Sequence, residues 1–127
     1  QMQEGADIIL PVNGGVGAAT AAVMQEQGKG YIIGVDQDWA LVYPQYAEQI
    51  LASITKSVDV HIYDAIDRFV NGTWEGGDYV LTLESGGTQL TYNPAVEVPD
   101  ELKDEIEDLQ AKIISGEITI PAPLPIE

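Results

Sequence analysis

The chain has 127 residues, of which 45% are hydrophobic; this is enough for one domain with a core and excludes an intrinsically disordered chain. Its 21 acidic and 5 basic residues give a formal net charge of −16, which disfavours binding to nucleic acid or to an anionic membrane face. The absence of cysteine and the single histidine exclude disulfides, a thiolate nucleophile and a histidine-rich metal site. Carboxylate, hydroxyl, lysine and backbone chemistry remain, and they favour binding over catalysis.

The first third of the sequence predicts a parallel βαβ unit. The apolar run at residues 8–12 is typical of a short strand buried on both faces, and it ends at a glycine turn. Residues 16–27 are rich in alanine with apolar residues at helical spacing, and Gly28 is expected to stop this helix. Residues 31–35 predict a second buried strand that ends at Asp36. A strand, a helix and a strand in so few residues indicate a right-handed crossover.

The middle of the chain predicts a second strand and helix, followed by a hairpin. Residues 37–49 form a loop rich in aromatic and polar side chains, with room for one helical turn. Residues 50–55 are expected to form a third strand, and the apolar spacing at 58–69 predicts a helix. Residues 79–83 and 88–92 flank a glycine turn, which favours a β-hairpin and therefore a mixed sheet.

The end of the chain predicts one more helix. Pro99 and the acidic residues after it open an amphipathic helix, and Gly116 ends it. Residues 118–121 are expected to form a short strand, and the prolines within 122–127 indicate an extended tail. The predicted fold class is α/β, with a mainly parallel sheet, helices on both faces and a hairpin, as one lobe over residues 1–121.

Three loops after predicted strands, at residues 13–17, 36–39 and 55–57, carry candidate binding residues, because ligands of open α/β sheets bind beyond the carboxyl ends of the strands. In the first loop, Gly14 and Gly15 allow close approach of the backbone to a ligand, and Asn13 adds a donor and an acceptor. A strand-to-helix turn also needs glycine, so this loop alone decides little. Asp36 ends the second strand, where its carboxylate can accept two hydrogen bonds from vicinal sugar hydroxyls.

Three further candidates have structural alternatives. Asp38 is a candidate ligand residue or a cap of a turn, and Trp39 either stacks on a base or anchors the loop in the core. Lys56 stands at a junction of strand and helix, where the helix dipole disfavours a cation. It is expected to donate to a ligand or to pair with Asp36, the alternative being a solvated lysine. The sequence indicates no catalytic residue and no metal ligand.

A dinucleotide-binding domain of an oxidoreductase is a competing interpretation. Residues 15–20, GVGAAT, differ by one residue from the G-x-G-x-x-G fingerprint, and Asp36 lies near the distance expected for a ribose-binding acid. Thr20 stands where the third glycine belongs, and the chain is short for a cofactor domain with a substrate domain. A purely structural interaction domain is the other alternative.

The loops together resemble the basic membrane protein family of ABC transporter substrate-binding lipoproteins, similar to purine nucleoside receptors. The resemblance is carried by GADIILPVNGGVG from Gly5, YIIGVDQD from Tyr31, LASITKSVDV from Leu51 and GEI from Gly116. It implies a type I periplasmic-binding-protein-like fold, in which two lobes, each a three-layer sandwich, close on a nucleoside. The members are longer than this chain, so residues 1–121 are expected to be the C-terminal lobe with hinge or crossover segments.

The resemblance also implies roles and partners. Gly14 and Gly15 would offer backbone to the ligand, Asp36 would bind the ribose hydroxyls, and Lys56 would reach the ligand from the other side of the cleft. The expected partners are a purine nucleoside or similar small solute and the ABC permease, with no cofactor. The full-length protein would be extracytoplasmic and lipid-anchored to the cell membrane. Without its other lobe, the isolated chain is expected to self-associate through residues 50–54 and 58–69.

Overall fold

The structure, a computed structural model, describes residues 1–121 in two compact units, Gln1–Glu97 and a second unit that begins at Val98. The strands are β1 (Ile8–Ile9), β2 (Tyr31–Asp36), β3 (Ile50–Lys56) and β4 (Thr88–Tyr92). The helices are α1 (Ala18–Gln27), α2 (Trp39–Val42), α3 (Val58–Val70) and α4 (Asp100–Ile114), with 3-10 helices at Met2–Glu4, Gly14–Gly17 and Pro44–Gln49.

The four strands form one mixed sheet in the order β1-β2-β3-β4. β1 pairs parallel with β2, β2 pairs parallel with β3, and β4 is antiparallel to β3. The register between β2 and β3 shifts after Ile32, and from there it aligns Asp36 with Thr55. The predicted α/β class with a mainly parallel sheet is confirmed, and so is the parallel βαβ unit. The expectation of helices on both faces involves the second unit as well and stays a prediction.

The core of the first unit lies between the sheet and α1 and α2. Its buried side chains are Ala21, Met24, Ile32, Trp39 and Ile50. They come from the strands and from one side of each helix, so burial follows the natural periods of strand and helix. Burying a side chain such as that of Met24, Ile32 or Ile50 contributes about 1.5–3 kcal/mol. This burial holds the sheet and the helices in one unit.

The first strand is shorter and more exposed than predicted. β1 has two residues, fewer than the apolar run at 8–12, and Ile8 is 48% exposed and Val12 75% exposed. The prediction of a strand buried on both faces is wrong, because β1 lies at the edge of the described sheet and has a partner only in β2. An apolar run at a sheet edge has the same sequence pattern as a central strand.

The predicted hairpin is also wrong in its first arm. Residues 79–83 form no strand, and β4 pairs with β3 instead. The Gly87 amide donates to the Thr82 carbonyl oxygen at 2.8 Å, and the Thr82 amide donates to Ser85 Oγ at 2.8 Å, so the chain closes a tight local turn. A Cβ on Gly87 would lie 2.1 Å from that of Leu81. Leu81 therefore packs directly against Gly87 within this turn, and residues 79–83 do not pair with β4.

Helix α3 has an exposed apolar face, and side-chain contacts hold its C-terminal end. Ile62 and Ile66 are 56% and 58% exposed, although the helix is strongly amphipathic. Near its end, Arg68 Nε lies 2.7 Å from Asp64 Oδ2 and its guanidinium lies 4.7 Å from the centre of the Tyr79 ring. The hydrogen bond to Asp64 raises the pKa of Arg68. These contacts hold the end of α3 but leave its apolar face open.

The second unit contains α4, an amphipathic helix as predicted. It starts after Pro99 and ends before Gly116, whose φ of 80° lies in the left-handed region. The Lys103 ammonium, 2.9 Å from Asp100 Oδ1, lowers the pKa of that carboxyl. Residues 118–121 form no strand, contrary to expectation, and the predicted tail at 122–127 lies outside the described residues. Of the helices within 1–121, none is long and apolar enough to cross a bilayer.

Candidate functional site

The carboxyl ends of β1, β2 and β3 lie at one edge of the sheet, because the three strands are parallel neighbours. The loop after β1 carries Gly14 and Gly15, β2 ends at Asp36, and β3 ends at Lys56. Parallel strands thus bring together residues that are far apart in the chain. This is the edge at which open α/β sheets bind ligands.

A cavity of about 210 Å3 lies at this edge. Its lining residues come from the first two predicted loops and from the end of α2: Gly14, Gly15, Val35, Asp36, Gln37, Trp39 and Tyr43. The volume is below the roughly 300–1,000 Å3 of pockets that enclose a small molecule. The cavity can therefore hold only part of a ligand of nucleoside size.

Asp36 and Lys56 form an ion pair at this edge. Lys56 Nζ lies 2.7 Å from Asp36 Oδ1. The Lys56 side chain is 62% exposed, and the Asp36 side chain is 50% exposed. Because both groups face solvent, the pair itself contributes at most about 1 kcal/mol to stability. Each group keeps free capacity for hydrogen bonds to a ligand. The pairing predicted as one of the alternatives for Lys56 is therefore present, and it ties this lysine to a residue that lines the cavity.

The backbone of Asp36 is in the left-handed region, with a φ of 72°. Within residues 1–121 it is the only residue other than glycine with a positive φ. Aspartate tolerates this conformation better than most residues, but it still costs roughly 1 kcal/mol or more. Strain of this kind clusters at binding sites, and here it occurs at the residue that lines the cavity with a free carboxylate oxygen.

The glycine loop presents open backbone to the cavity. Gly14 has a φ of 64°, and a Cβ added to Gly14 or Gly15 would have no atom within 4 Å. Glycine is therefore favoured at Gly14 by its left-handed backbone. At Gly15, no neighbouring atom within the described chain would clash with a side chain. The free space beside Gly15 is available to a ligand.

Trp39 is mainly a core residue. Its side chain is 4% exposed, and its Nε1 donates to the Val35 carbonyl oxygen at 3.0 Å. The ring fits between Gly17 and Gly34, since a Cβ on either glycine would come within 2.7 Å of it. Trp39 forms part of the cavity wall, but its burial leaves little surface for stacking on a base. The alternative predicted from the sequence, an anchor in the core, describes its observed contacts.

Asp38 and Asn13 do not line the cavity. Asp38 is the N-cap of α2, where its Oδ1 accepts a hydrogen bond from the Ala40 amide at 3.0 Å. The capping role was the structural alternative for this residue. Asn13 is exposed and precedes the 3-10 helix Gly14–Gly17. Of the seven predicted site residues, the structure places Gly14, Gly15, Asp36 and Trp39 around the cavity and Lys56 beside it.

Two polar side chains at the cavity were not predicted, those of Gln37 and Tyr43. Gln37 lies between two acids that were singled out, so its place in the loop was the available signal. Tyr43 follows α2 and packs edge-on to Trp39, with ring centres 5.2 Å apart. Ser53 on β3, whose Oγ accepts a hydrogen bond from the Trp39 amide at 3.0 Å, was not predicted either, because a serine within an apolar strand has no distinguishing pattern.

The cavity can accept hydrogen bonds through the Asp36 carboxylate and donate them through the Gln37 amide, and the Lys56 ammonium beside it is a further donor. Such a set fits a neutral polar ligand with neighbouring hydroxyls, which can donate to Asp36 and accept from Lys56. Among the described residues, no three His, Cys, Asp or Glu side chains are grouped so that they could hold a metal ion.

A family model described as "ABC transporter substrate-binding protein PnrA-like" matches residues 1–123. Basic membrane protein C of Borreliella burgdorferi is 32% identical over 117 residues, which cover 90% of this chain and 32% of that protein. An uncharacterized lipoprotein of Pyrococcus abyssi is 28% identical, over 96% of this chain and 38% of that protein. The chain thus spans about a third of the length of these relatives.

The fold is similar to that of a solved ABC transporter solute-binding protein from Aeropyrum pernix K1. The TM-score is 0.81 over 98% of this chain and 42% of that chain, at 23% sequence identity. At this identity the likeness concerns the fold alone. It supports the assignment of a periplasmic-binding-protein-like lobe.

Proposed function

The chain belongs to the Bmp family of PnrA-like ABC transporter substrate-binding proteins, and from this premise we propose that it binds a purine nucleoside for an ABC importer. The chain is the C-terminal lobe of a longer solute-binding protein, and the ligand lies in the cleft between the two lobes. It performs no catalysis. The full-length protein is extracytoplasmic, lipid-anchored to the cell membrane, and delivers its ligand to the permease.

The observation that carries this proposal is the pairing of Asp36 with Lys56 beside a cavity lined by glycine backbone. A ribose presents two vicinal hydroxyls, and a carboxylate can accept a hydrogen bond from each of them. The ammonium, 2.7 Å from the carboxylate, is within reach of a ligand hydroxyl or ring nitrogen. When the ligand binds, its hydrogen bonds to Asp36 and Lys56 replace contacts that these side chains make with each other and with water.

The size of the cavity supports a site shared between two lobes. A volume of about 210 Å3 is below that of pockets that fully enclose a small molecule, as expected when a second wall completes the site. The relatives have about two further thirds of chain length in which to provide a second wall. Because Trp39 is largely buried, aromatic stacking on the purine comes from Tyr43 or from the other lobe.

Calorimetry on the full-length protein with a panel of nucleosides tests the proposal. We expect adenosine, guanosine or inosine to bind, and the matching 2′,3′-dideoxynucleoside to bind at least tenfold more weakly, because it lacks both hydroxyls that Asp36 accepts. Pyrimidine nucleosides and free ribose serve as controls for the base. Binding of NADH with no binding of nucleosides would support the dinucleotide alternative, and equal affinity for the dideoxynucleoside would contradict the role of Asp36.

The apolar face of α3 supports the proposal that the chain is one part of a longer protein. Ile62, Ile66 and Phe69 are 56%, 58% and 74% exposed, and they line an apolar groove with Ala65 and Trp74. Exposed apolar surface of this kind is normally covered by another part of the protein. In the full-length protein the remaining two thirds of the chain cover this face. Of the segment 50–54 that was also expected to self-associate, Ile50 is fully buried, whereas Ile54 is 36% exposed.

The isolated 127-residue chain is therefore expected to self-associate through the α3 face. Light scattering at about 0.15 M salt, where the Debye length of about 8 Å limits repulsion between the acidic chains, should give a mass above that of a monomer. Ile66→Glu with Phe69→Glu should restore the monomer, since both residues are exposed and the changes leave the core intact. Val80→Glu, at an 80% exposed position outside the helix, is the matched control. A strict monomer at high concentration would contradict this prediction.

A further inference from the structure

The strained conformation of Asp36 requires support from its surroundings. Its φ of 72° is unfavourable for a residue with a side chain, and the surface ion pair with Lys56 is too weak and too exposed to impose it. The residues that follow Asp36 in the chain provide a stronger constraint.

The loop after β2 is held at both ends by hydrogen bonds of Trp39. The Trp39 amide donates to Ser53 Oγ at 3.0 Å, and its Nε1 donates to the Val35 carbonyl oxygen at 3.0 Å. Ser53 is fully buried on β3, and the Trp39 ring is confined between Gly17 and Gly34. Val35, Trp39 and Ser53 together form a loop clamp.

We propose that Ser53 is a positioning residue that, through the loop clamp, keeps Asp36 in its left-handed conformation and so aims its carboxylate at the ligand. This inference rests on the proposed function, because it concerns the same site. Ser53 itself does not line the cavity. Its effect on binding passes through Trp39 and the three residues that separate Val35 from Trp39.

The geometry explains why a buried hydroxyl has this effect. Only Asp36, Gln37 and Asp38 lie between the two clamped residues, so fixing both ends leaves these three residues few conformations. Asp38 is itself restrained because its side chain caps α2, so the conformational freedom of this loop is reduced further. When the Ser53 hydroxyl is removed, the Trp39 amide loses its acceptor in a buried place, and the loop gains conformations in which Asp36 has the ordinary negative φ.

The test compares Ser53→Ala with wild type in the full-length protein, with inosine and adenosine as probes. We expect about a tenfold loss of affinity, which corresponds to a fall of the competent loop conformation to about a tenth of the population. In an Asp36→Gly background, where the carboxylate is absent and glycine takes a positive φ freely, Ser53→Ala should cause no further loss. Ile50→Val, on the same strand, is a control for lost stability, because it removes one methyl group from the core and none of the hydrogen bonds that hold the loop.

A second measurement does not depend on any ligand. The one-bond Cα–Hα coupling of Asp36 in NMR spectra depends on the sign of φ, and it should change in Ser53→Ala but not in Ile50→Val. If Ser53→Ala does not fold, Ser53→Cys takes its place, because it replaces the hydroxyl that accepts from the Trp39 amide with a weakly accepting thiol of similar shape. Unchanged affinity and unchanged coupling in the folded variant would overturn the proposal. If the wild type binds no nucleoside, the proposed function fails, and the coupling still decides the role of Ser53.

Discussion

Replacing Asp36 by alanine is expected to weaken nucleoside binding by at least about 100-fold, the largest effect of any single substitution at the cavity. Hydrogen bonds to a charged group contribute about 1.5–3 kcal/mol each, and a ribose can donate two of them to this carboxylate. The substitution also leaves the Lys56 ammonium without the partner that lies 2.7 Å away in wild type. Calorimetry on the full-length protein measures the loss.

Two control variants separate the carboxylate from its backbone. Asp36→Gly removes the carboxylate but accepts a φ of 72° without strain, so it should lose as much affinity as Asp36→Ala. Asp67→Ala, at an exposed position on α3, changes the net charge by the same amount and should leave affinity as in wild type. Wild-type affinity for inosine and adenosine in Asp36→Ala would show that this carboxylate does not bind the ligand.

Adding one methyl group at Gly34 is expected to lower the free energy of unfolding by about 2–3 kcal/mol, the typical upper range for overpacking a core. A Cβ at this position would lie 2.5 Å from Trp39 Cγ and 2.6 Å from Ser53 Oγ, closer than real contacts occur. Both neighbours are buried, so neither side chain can move aside freely. Gly34→Ala therefore displaces the indole that supports the cavity wall.

Urea unfolding of Gly34→Ala and of Gly76→Ala measures this effect. Gly76 has no atom within 4 Å of an added Cβ and no positive φ, so its substitution should change stability little. Nucleoside affinity should fall in Gly34→Ala as well, because a displaced Trp39 releases its bonds to Val35 and Ser53. A midpoint for Gly34→Ala equal to that of Gly76→Ala would show that the core relaxes around the methyl group without cost.

Elements with a local signal were predicted well. The helix that Gly28 ends and the strand that ends at Asp36 are present because alanine favours helices and β-branched residues favour strands, and glycine at a φ of 63° closes the helix. The helix after Ser57 and the one after Pro99 have the same kind of signal. The sequence pattern does not say which apolar face stays open, and the exposed face of α3 is visible only in three dimensions.

The strand predictions were wrong where pairing with a distant segment, rather than local β-propensity, determines the structure. Residues 79–83 have the composition of a strand and precede a glycine turn, yet the turn closes on Thr82 and β4 takes its partner from β3. Residues 8–12 look like a buried strand, but only two of them pair, at the edge of the described sheet. A strand exists through its hydrogen-bonded neighbour, which is distant in the chain, so local pattern alone cannot establish it.

The sequence by itself determined the α/β class, the βαβ unit and the positions of Gly14, Gly15, Asp36 and Lys56 at the ends of strands, because periodicity and turn residues act locally. Only the tertiary structure decided that Asp36 and Lys56 pair across neighbouring strands, that Asp38 caps α2, and that Trp39 fills a slot between two glycines. It also revealed the positive φ of Asp36 and the buried support from Ser53. These features depend on which strands are neighbours in the sheet. The local sequence pattern does not determine the strand order.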